Sequence, residues 1–281
     1  MSCTVLESEE FGGRIFPALT IDNYPGLPGI SGADYCEKLR AQAESFGAEL
    51  KNQTVSSIEY VDNLWQVKTT NNSLYIAPAI IYAAGEKQRL LDIPGETEFI
   101  GRGVGFCAAC DGALFRNKEV AVIGGGDKAL DDALTLSRMC SAVHLIHRRE
   151  EFRGFAGSVA KVKQTPNITL HLNRIAKSVN GARRVESITL CDTNGDNEEI
   201  LNISGLFIAV GSVPLTALCA EIAELDEQGY IIATEDCKTS QPGLFAAGDT
   251  RQKPLRQLIT AAADGAVAGK AAADYVALYK G

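Results

Sequence analysis

The chain has 281 residues, 46% of them hydrophobic and 22% charged, with 27 glycines, a composition that excludes disorder and suits one large or two ordinary globular domains. A formal net charge of -8 excludes electrostatic capture of nucleic acid. No apolar run reaches the roughly 20 residues of a membrane span, and eight cysteines are too sparse for a disulfide-stapled secreted scaffold, so a soluble protein of the reducing cytoplasm is expected.

Residues 3–7 read as the end of a buried strand closing on Glu7. A turn-rich stretch around Pro25 and Pro28 follows, and then 32–46 has apolar positions at Tyr35, Leu39, Ala43 and Phe46, the spacing of an amphipathic helix stopped by Gly47. Strands are expected at 54–61, 64–69 and 73–76, and a buried one at 79–82 runs into Ala83-Ala84-Gly85. The glycine-rich loop after residue 86 marks a change of domain. Beyond it, an apolar strand at 120–123 meets Gly124-Gly125-Gly126, a helix at 129–139 and a strand at 142–146, which together form a βαβ unit with a parallel sheet. A helix near 158–163, strands at 168–172, 174–179 and 185–191 and a buried strand at 205–210 complete this half. A strand at 243–247 ending on Gly248-Asp249, then an Ala- and Gly-rich helix over 257–278, close the chain.

Gly124-x-Gly126-x-x-Ala129 between strand and helix is the pattern of a dinucleotide site: one glycine permits the turn, the next admits a pyrophosphate, and the small third residue lets helix and strand pack. About 20 residues on, where an NAD site carries an acid for the ribose, stand His147, Arg148 and Arg149, with Arg153 one turn later. Guanidinium forks match a 2′-phosphate, so NADPH is expected rather than NADH. Cys107-Ala-Ala-Cys110-Asp111 lacks the second pair of ligands that a zinc site needs and suits a redox dithiol, with Asp111 moving the proton that thiolate chemistry requires; no metal is expected. Spacing alone does not distinguish a reductase from an isomerase.

These motifs, with Asp22-Asn23-Tyr24-Pro25-Gly26, Gly101-Arg102-Gly103, Phe245-Ala-Ala-Gly-Asp249 and Pro254-Leu-Arg-Gln257, give a chain that resembles the low-molecular-weight thioredoxin reductases from Val5 onward. The resemblance implies an α/β fold of two Rossmann-like three-layer domains, with an NADPH domain (87–212) inserted into an FAD domain (1–86 and 213–281), and a homodimer. It implies that Cys110 meets the flavin, that Cys107 exchanges with the disulfide of thioredoxin or a similar small redox protein, and that Asp111 is the acid/base. Glu7, Gly12, Gly13, Arg14, Asn23, Ala84, Gly85, Gly248, Asp249, Arg256, Gln257 and Leu258 take the flavin-contacting positions. Gly124, Gly126, Asp127, Ala129, His147, Arg148, Arg149 and Arg153 take the NADPH ones.

The sequence also departs from that family. It has no leading strand and Gly-x-Gly-x-x-Gly turn for the FAD pyrophosphate, so the expectation is a piece of a longer chain, or weak FAD binding without that segment. Arg14 stands where the family has Gln, and Lys128, where a small polar residue is usual, is expected to point into solvent. The alternatives are a related dithiol/disulfide flavoenzyme acting on another redox protein or a small-molecule dithiol, and a flavin-deficient, catalytically silent nucleotide-binding module.

Overall fold

The computed structural model describes residues 2–18 and 20–279. In chain order the elements are β1 (Thr4–Glu7), α1 (Gly32–Ser45), β2 (Glu49–Asn52), β3 (Val55–Val61), β4 (Leu64–Thr69), β5 (Leu74–Ala77), β6 (Ile80–Tyr82) and β7 (Glu86–Gln88). There follow β8 (Val104–Gly105), α2 (Ala108–Asp111), β9 (Glu119–Ile123), α3 (Asp127–Ser137), β10 (Ala142–His147), α4 (Ala156–Gln164), β11 (Ile168–Leu172), β12 (Arg174–Gly181), β13 (Val185–Asp192), β14 (Glu199–Asn202) and β15 (Gly205–Ile208). The last are β16 (Ser212–Pro214), β17 (Leu244–Ala246) and α5 (Leu258–Tyr279). They divide into two compact units, 1–87 with 212–281, and 88–211. The short strands β2 and β14 are absent from the sequence reading because neither alternates over more than four residues.

The inserted unit is a three-layer α/β fold. Its central sheet has the order β11-β10-β9-β15-β8, and every pairing in it is parallel. Because both faces are covered, its strands read as continuous apolar runs. Along β9, Val120 and Val122 face the cluster containing Ala129, Leu130, Ala133 and Leu136 of α3, while Ala121 and Ile123 face Val179, Val185, Ile188 and Leu190 of the antiparallel sheet β12-β13-β14. This two-residue alternation places helices on one side of the parallel sheet and the antiparallel sheet on the other.

The discontinuous unit is layered in the same way. β17 pairs in parallel with β6, and its Leu244 and Ala246 join Ile58 and Trp65 of the antiparallel sheet β3-β4-β5. The alternate residue Phe245 meets Ala268 and Ala272 of α5. The hairpin between β3 and β4 turns on Asp62 and Asn63, both at positive φ, the conformation that two-residue hairpin turns demand. Ser31 caps α1 by accepting the Asp34 N–H at 3.1 Å. β1 pairs in parallel with β2, and among the described residues this pair is separate from the β6-β17 pair.

Candidate active site

In the inserted unit the nucleotide turn leaves β9 at its C-terminal end. At Gly124 a Cβ would lie 2.4 Å from the Ala209 carbonyl oxygen and 2.7 Å from the Ala129 Cβ, so this position must be glycine and Ala129 must be small. At Gly126, by contrast, a Cβ would meet nothing within 4 Å, and no side chain caps the helix it opens. This is the positive end of an 11-residue helix, the kind of terminus that can receive a pyrophosphate.

The segment after β10 folds back on this turn. The Arg153 N–H donates to the Gly125 carbonyl at 2.7 Å, and the Phe155 N–H donates to Asp127 Oδ1 at 2.6 Å. Asp127 thus holds the loop through its side chain. Arg148, Arg149 and Arg153 are exposed beside the turn, where a 2′-phosphate would lie. His147 is placed differently: its ring is buried, stacked on Phe152, and fills the space a Cβ on Gly125 would occupy. Burial pushes its pKa down, and the Glu151 carbonyl accepts from or faces Nε2 at 3.1 Å. His147 therefore shapes the glycine turn from behind, whereas the arginines face solvent.

Cys107 and Cys110 form a disulfide, with their Cα atoms 5.3 Å apart. Cys107 precedes the single turn of α2, and its sulfur accepts the Cys110 N–H at 3.2 Å. Asp111 ends that turn with its carboxylate against Gly105, where a Cβ would come within 3.0 Å of Oδ2. Burial raises its pKa. A carboxyl with a raised pKa beside a disulfide is a proton donor in waiting. Among the described residues no group of three or more His, Cys, Asp or Glu could hold a metal ion.

Two sequence-derived positions of the other unit, Arg14 and Arg256, meet at one buried acid that the sequence reading missed. Glu86 accepts from Arg14 Nη1 at 2.8 Å through Oε1, and from Ser212 Oγ at 2.7 Å and the Tyr230 hydroxyl at 2.8 Å through Oε2. Arg256 lies 3.6 Å from the same oxygen and stacks its guanidinium 3.7 Å above the Tyr230 ring. Arg14 also comes within 3.9 Å of Asp249 Oδ2. Asn23 donates to Gln257 Oε1 at 2.9 Å. Gly85 and Gly248 both adopt positive φ, Ala84 precedes the first of them, and Leu258 opens α5. Gly12 is forced to glycine by Cys36, whose sulfur would lie 2.4 Å from a Cβ there, while Gly13 turns at positive φ. Glu7, at the end of β1, accepts the Glu9 N–H at 3.0 Å.

The loop carrying Asp249 is pinned from α5. Asp264, buried on the apolar helix, accepts from the Gly248 N–H, Arg251 Nε and Nη2 at 2.9 Å each, and Lys253 Nζ at 2.6 Å. A lone acid in the run Ala261-Ala262-Ala263-Asp264 was the signal in the sequence that could have revealed it.

A parallel-sheet domain with a glycine turn, a basic loop and an adjoining disulfide defines a nucleotide-dependent disulfide oxidoreductase. Residues 2–265 match the model of the pyridine nucleotide-disulphide oxidoreductase family, and the chain belongs to it. It is 41% identical over 273 residues to a thioredoxin reductase of Treponema pallidum, covering 97% of this chain and 88% of that protein. It is 38% identical to a thioredoxin reductase of Listeria innocua, covering 94% and 83% respectively. The crystal structure of thioredoxin reductase from Streptococcus pyogenes superposes with a TM-score of 0.90 at 33% identity, over 97% of this chain and 89% of that one. Within the family, then, the chain is of the thioredoxin reductase type, whose members use FAD and NADPH.

The residues present fit both groups. For the flavin, the Oδ1 atom of Asp249 is buried without a hydrogen-bond donor and its carboxyl pKa is raised by burial, so a hydroxyl-bearing ligand would satisfy it. For the nucleotide, the uncapped start of α3 and the open side of Gly126 provide the cradle. Lys128 does not simply point into solvent as expected: its Nζ donates to Asp132 Oδ2 at 2.7 Å, because a buried carboxylate one helical turn on demands a partner.

Proposed function

We propose that this chain reduces the disulfide of thioredoxin, or of a similar small redox protein, with electrons from NADPH. The observation that carries the reading is the Cys107–Cys110 disulfide, set just before the glycine turn of the same unit and next to a half-buried Asp111. Bound FAD would supply the chemistry that protein side chains lack, accepting a hydride and returning the electron pair to sulfur.

The discontinuous unit, 1–86 with 213–281, is read as the flavin domain, and 87–212 as the NADPH domain. In the first, Asp249 would accept from a hydroxyl of the bound flavin, and Arg14, Asn23, Arg256 and Gln257 would help to hold it. In the second, the N–H groups after Gly126 bind the pyrophosphate and Arg148, Arg149 and Arg153 hold the 2′-phosphate. Two electrons open the Cys107–Cys110 bond, and Asp111 delivers a proton to the sulfur of Cys110. The Cys107 thiolate then attacks the partner disulfide and Cys110 resolves the mixed disulfide; the released partner sulfurs take up the Cys110 proton and one from water, so that the partner leaves as a dithiol and the internal bond re-forms.

A cytoplasmic homodimer is the accompanying inference. No described helix is long and apolar enough to cross a membrane, and α5 leaves Ile259 and Val267 exposed at 40% and 39%, apolar surface that a second copy would cover. The separate β1-β2 and β6-β17 pairs support a further inference, that a glycine-rich strand joining them strengthens FAD retention. Visible spectra of the protein, alone and extended by a strand with a Gly-x-Gly-x-x-Gly turn, test the flavin. Yellow colour bleached by NADPH is expected, and colourless protein from both removes the proposal. In the flavin-loaded protein Cys110→Ser should keep that bleaching while losing thioredoxin turnover; surviving turnover would refute the dithiol assignment.

A further inference from the structure

The redox turn rests on an ion pair that takes no part in the steps above. Asp132 lies in the first half of α3, 8% exposed, and receives Lys128 Nζ at 2.7 Å. Its carboxylate also faces the backbone N–H of Ala108, the residue next to Cys107, which favours its charged form. The seating is tight. Ala108 is buried in the same cluster as Ala129, Ala133 and Leu136, and a Cβ on Gly112 would lie 3.1 Å from Leu136 Cδ2 and 3.2 Å from Met139 Sδ. Burial pushes the Asp132 carboxyl up, opposed by Lys128 and the Ala108 N–H, with Asp131 adding repulsion. On the turn itself the other acid is Asp111.

We propose that Asp132, paired with Lys128, is a positioning residue for the Cys107–Cys110 couple: it seats the redox turn on α3 through the Ala108 N–H and places there a negative charge that disfavours thiolate. The proposal rests on reading these cysteines as the redox couple. Reduction opens the S–S bond with two electrons and two protons, and the dithiol can then ionise. A carboxylate beside the turn raises the free energy of the resulting thiolate, and an N–H already committed to Asp132 is not available to stabilise it. The dithiol is therefore a stronger reductant than the same turn would be over a neutral side chain. Lys128, by neutralising part of the charge, acts in the opposite sense.

The test uses the full chain and measures the couple directly. Iodoacetamide alkylation of Cys107 against pH, read by peptide mass spectrometry, gives the thiolate population. Equilibration with glutathione and glutathione disulfide, where two glutathione thiols supply the electrons and protons, gives the redox constant. Asp132→Asn should raise the thiolate fraction below the thiol midpoint about tenfold and, at a pH above that midpoint where thiolate dominates the reduced form, move the glutathione equilibrium about tenfold toward the reduced couple, close to 30 mV. Lys128→Gln should move both in the opposite direction, and Asp132→Glu should restore the parent values. Shifts under twofold in both neutralising variants, or shifts of the same sign, would overturn the proposal. If Asp132→Asn does not fold, Lys128→Gln alone decides by its sign. A chain that fails to reduce thioredoxin yet shows these opposed shifts would discard the functional reading and keep this one.

Discussion

Glu86 offers the sharpest test of how the discontinuous unit is held together. Its carboxylate is 6% exposed and takes three hydrogen bonds, from Arg14, Ser212 and Tyr230, with Arg256 at 3.6 Å. Arg14 is 44% exposed, so its ion pair is screened and contributes at most about 1 kcal/mol. The two hydroxyl donors bond a charged acceptor in a dry site, worth about 1.5 to 3 kcal/mol each. In Glu86→Ala they can still bond each other across 3.0 Å, which recovers part of that loss, while Arg256 loses one of its two neighbouring acids and keeps Asp249. The net expectation is about 3 to 5 kcal/mol, as for other broken buried pairs, or roughly 6 to 20 °C in Tm. Glu86→Gln keeps the shape and one acceptor oxygen and should cost about half as much. The chain's single tryptophan, Trp65, is fully buried in this same unit, so its emission during thermal unfolding reports the right transition. A Glu86→Ala transition within about 2 °C of the parent would refute the assignment of Glu86 as an anchor.

Asp264 should give a pH signature. Its burial raises the carboxyl pKa, but the Arg251 and Lys253 hydrogen bonds outweigh burial and leave it depressed. A depressed acid contributes stability that is present above its unfolded value of about 3.9 and disappears as pH falls through the lower folded value. Asp264→Asn should therefore lower urea stability at pH 7 by about 3 kcal/mol and flatten the loss that sets in below about pH 4; an unchanged acid limb would count against the network. Replacing Arg148 and Arg149 together by Glu should weaken NADPH relative to NADH by about ten- to a hundredfold in the ratio of KM values, and a ratio within twofold of the parent would refute their phosphate role.

The α/β character was legible because buried parallel strands leave an unmistakable trace: Val120 to Ile123 and Leu206 to Ile208 are apolar on both faces, and glycine turns follow wherever a strand feeds a helix. Local chemistry was legible too, since a dithiol three residues apart and a glycine turn declare themselves by spacing. Long-range polar pairing was not. Glu86 sits 126 residues from Ser212 and 144 from Tyr230, and no periodicity connects them. The role of His147 was likewise hidden, because whether a side chain after a strand turns outward to a phosphate or inward against Gly125 depends on the packing of Phe152.

The two residues that depart from the family pattern show why such pairings matter. Arg14 and Lys128 each introduce a cation, and each meets a buried carboxylate, Glu86 and Asp132 respectively. Neither carboxylate is tolerable alone, since an unpaired buried charge costs far more than either exposed cation contributes. The pairs are therefore asymmetric: loss of the acid strands a partly exposed cation that water can solvate, with Arg14 44% and Lys128 48% exposed, whereas loss of the cation leaves the buried acid to its remaining donors, Ser212 and Tyr230 for Glu86 and the Ala108 N–H for Asp132. Lys128 and Asp132 lie one helical turn apart and could be paired from the sequence by that spacing. Arg14 and Glu86 are 72 residues apart, and only the fold, by bringing the loop after β1 to the end of the strand that closes at Gly85, makes them partners.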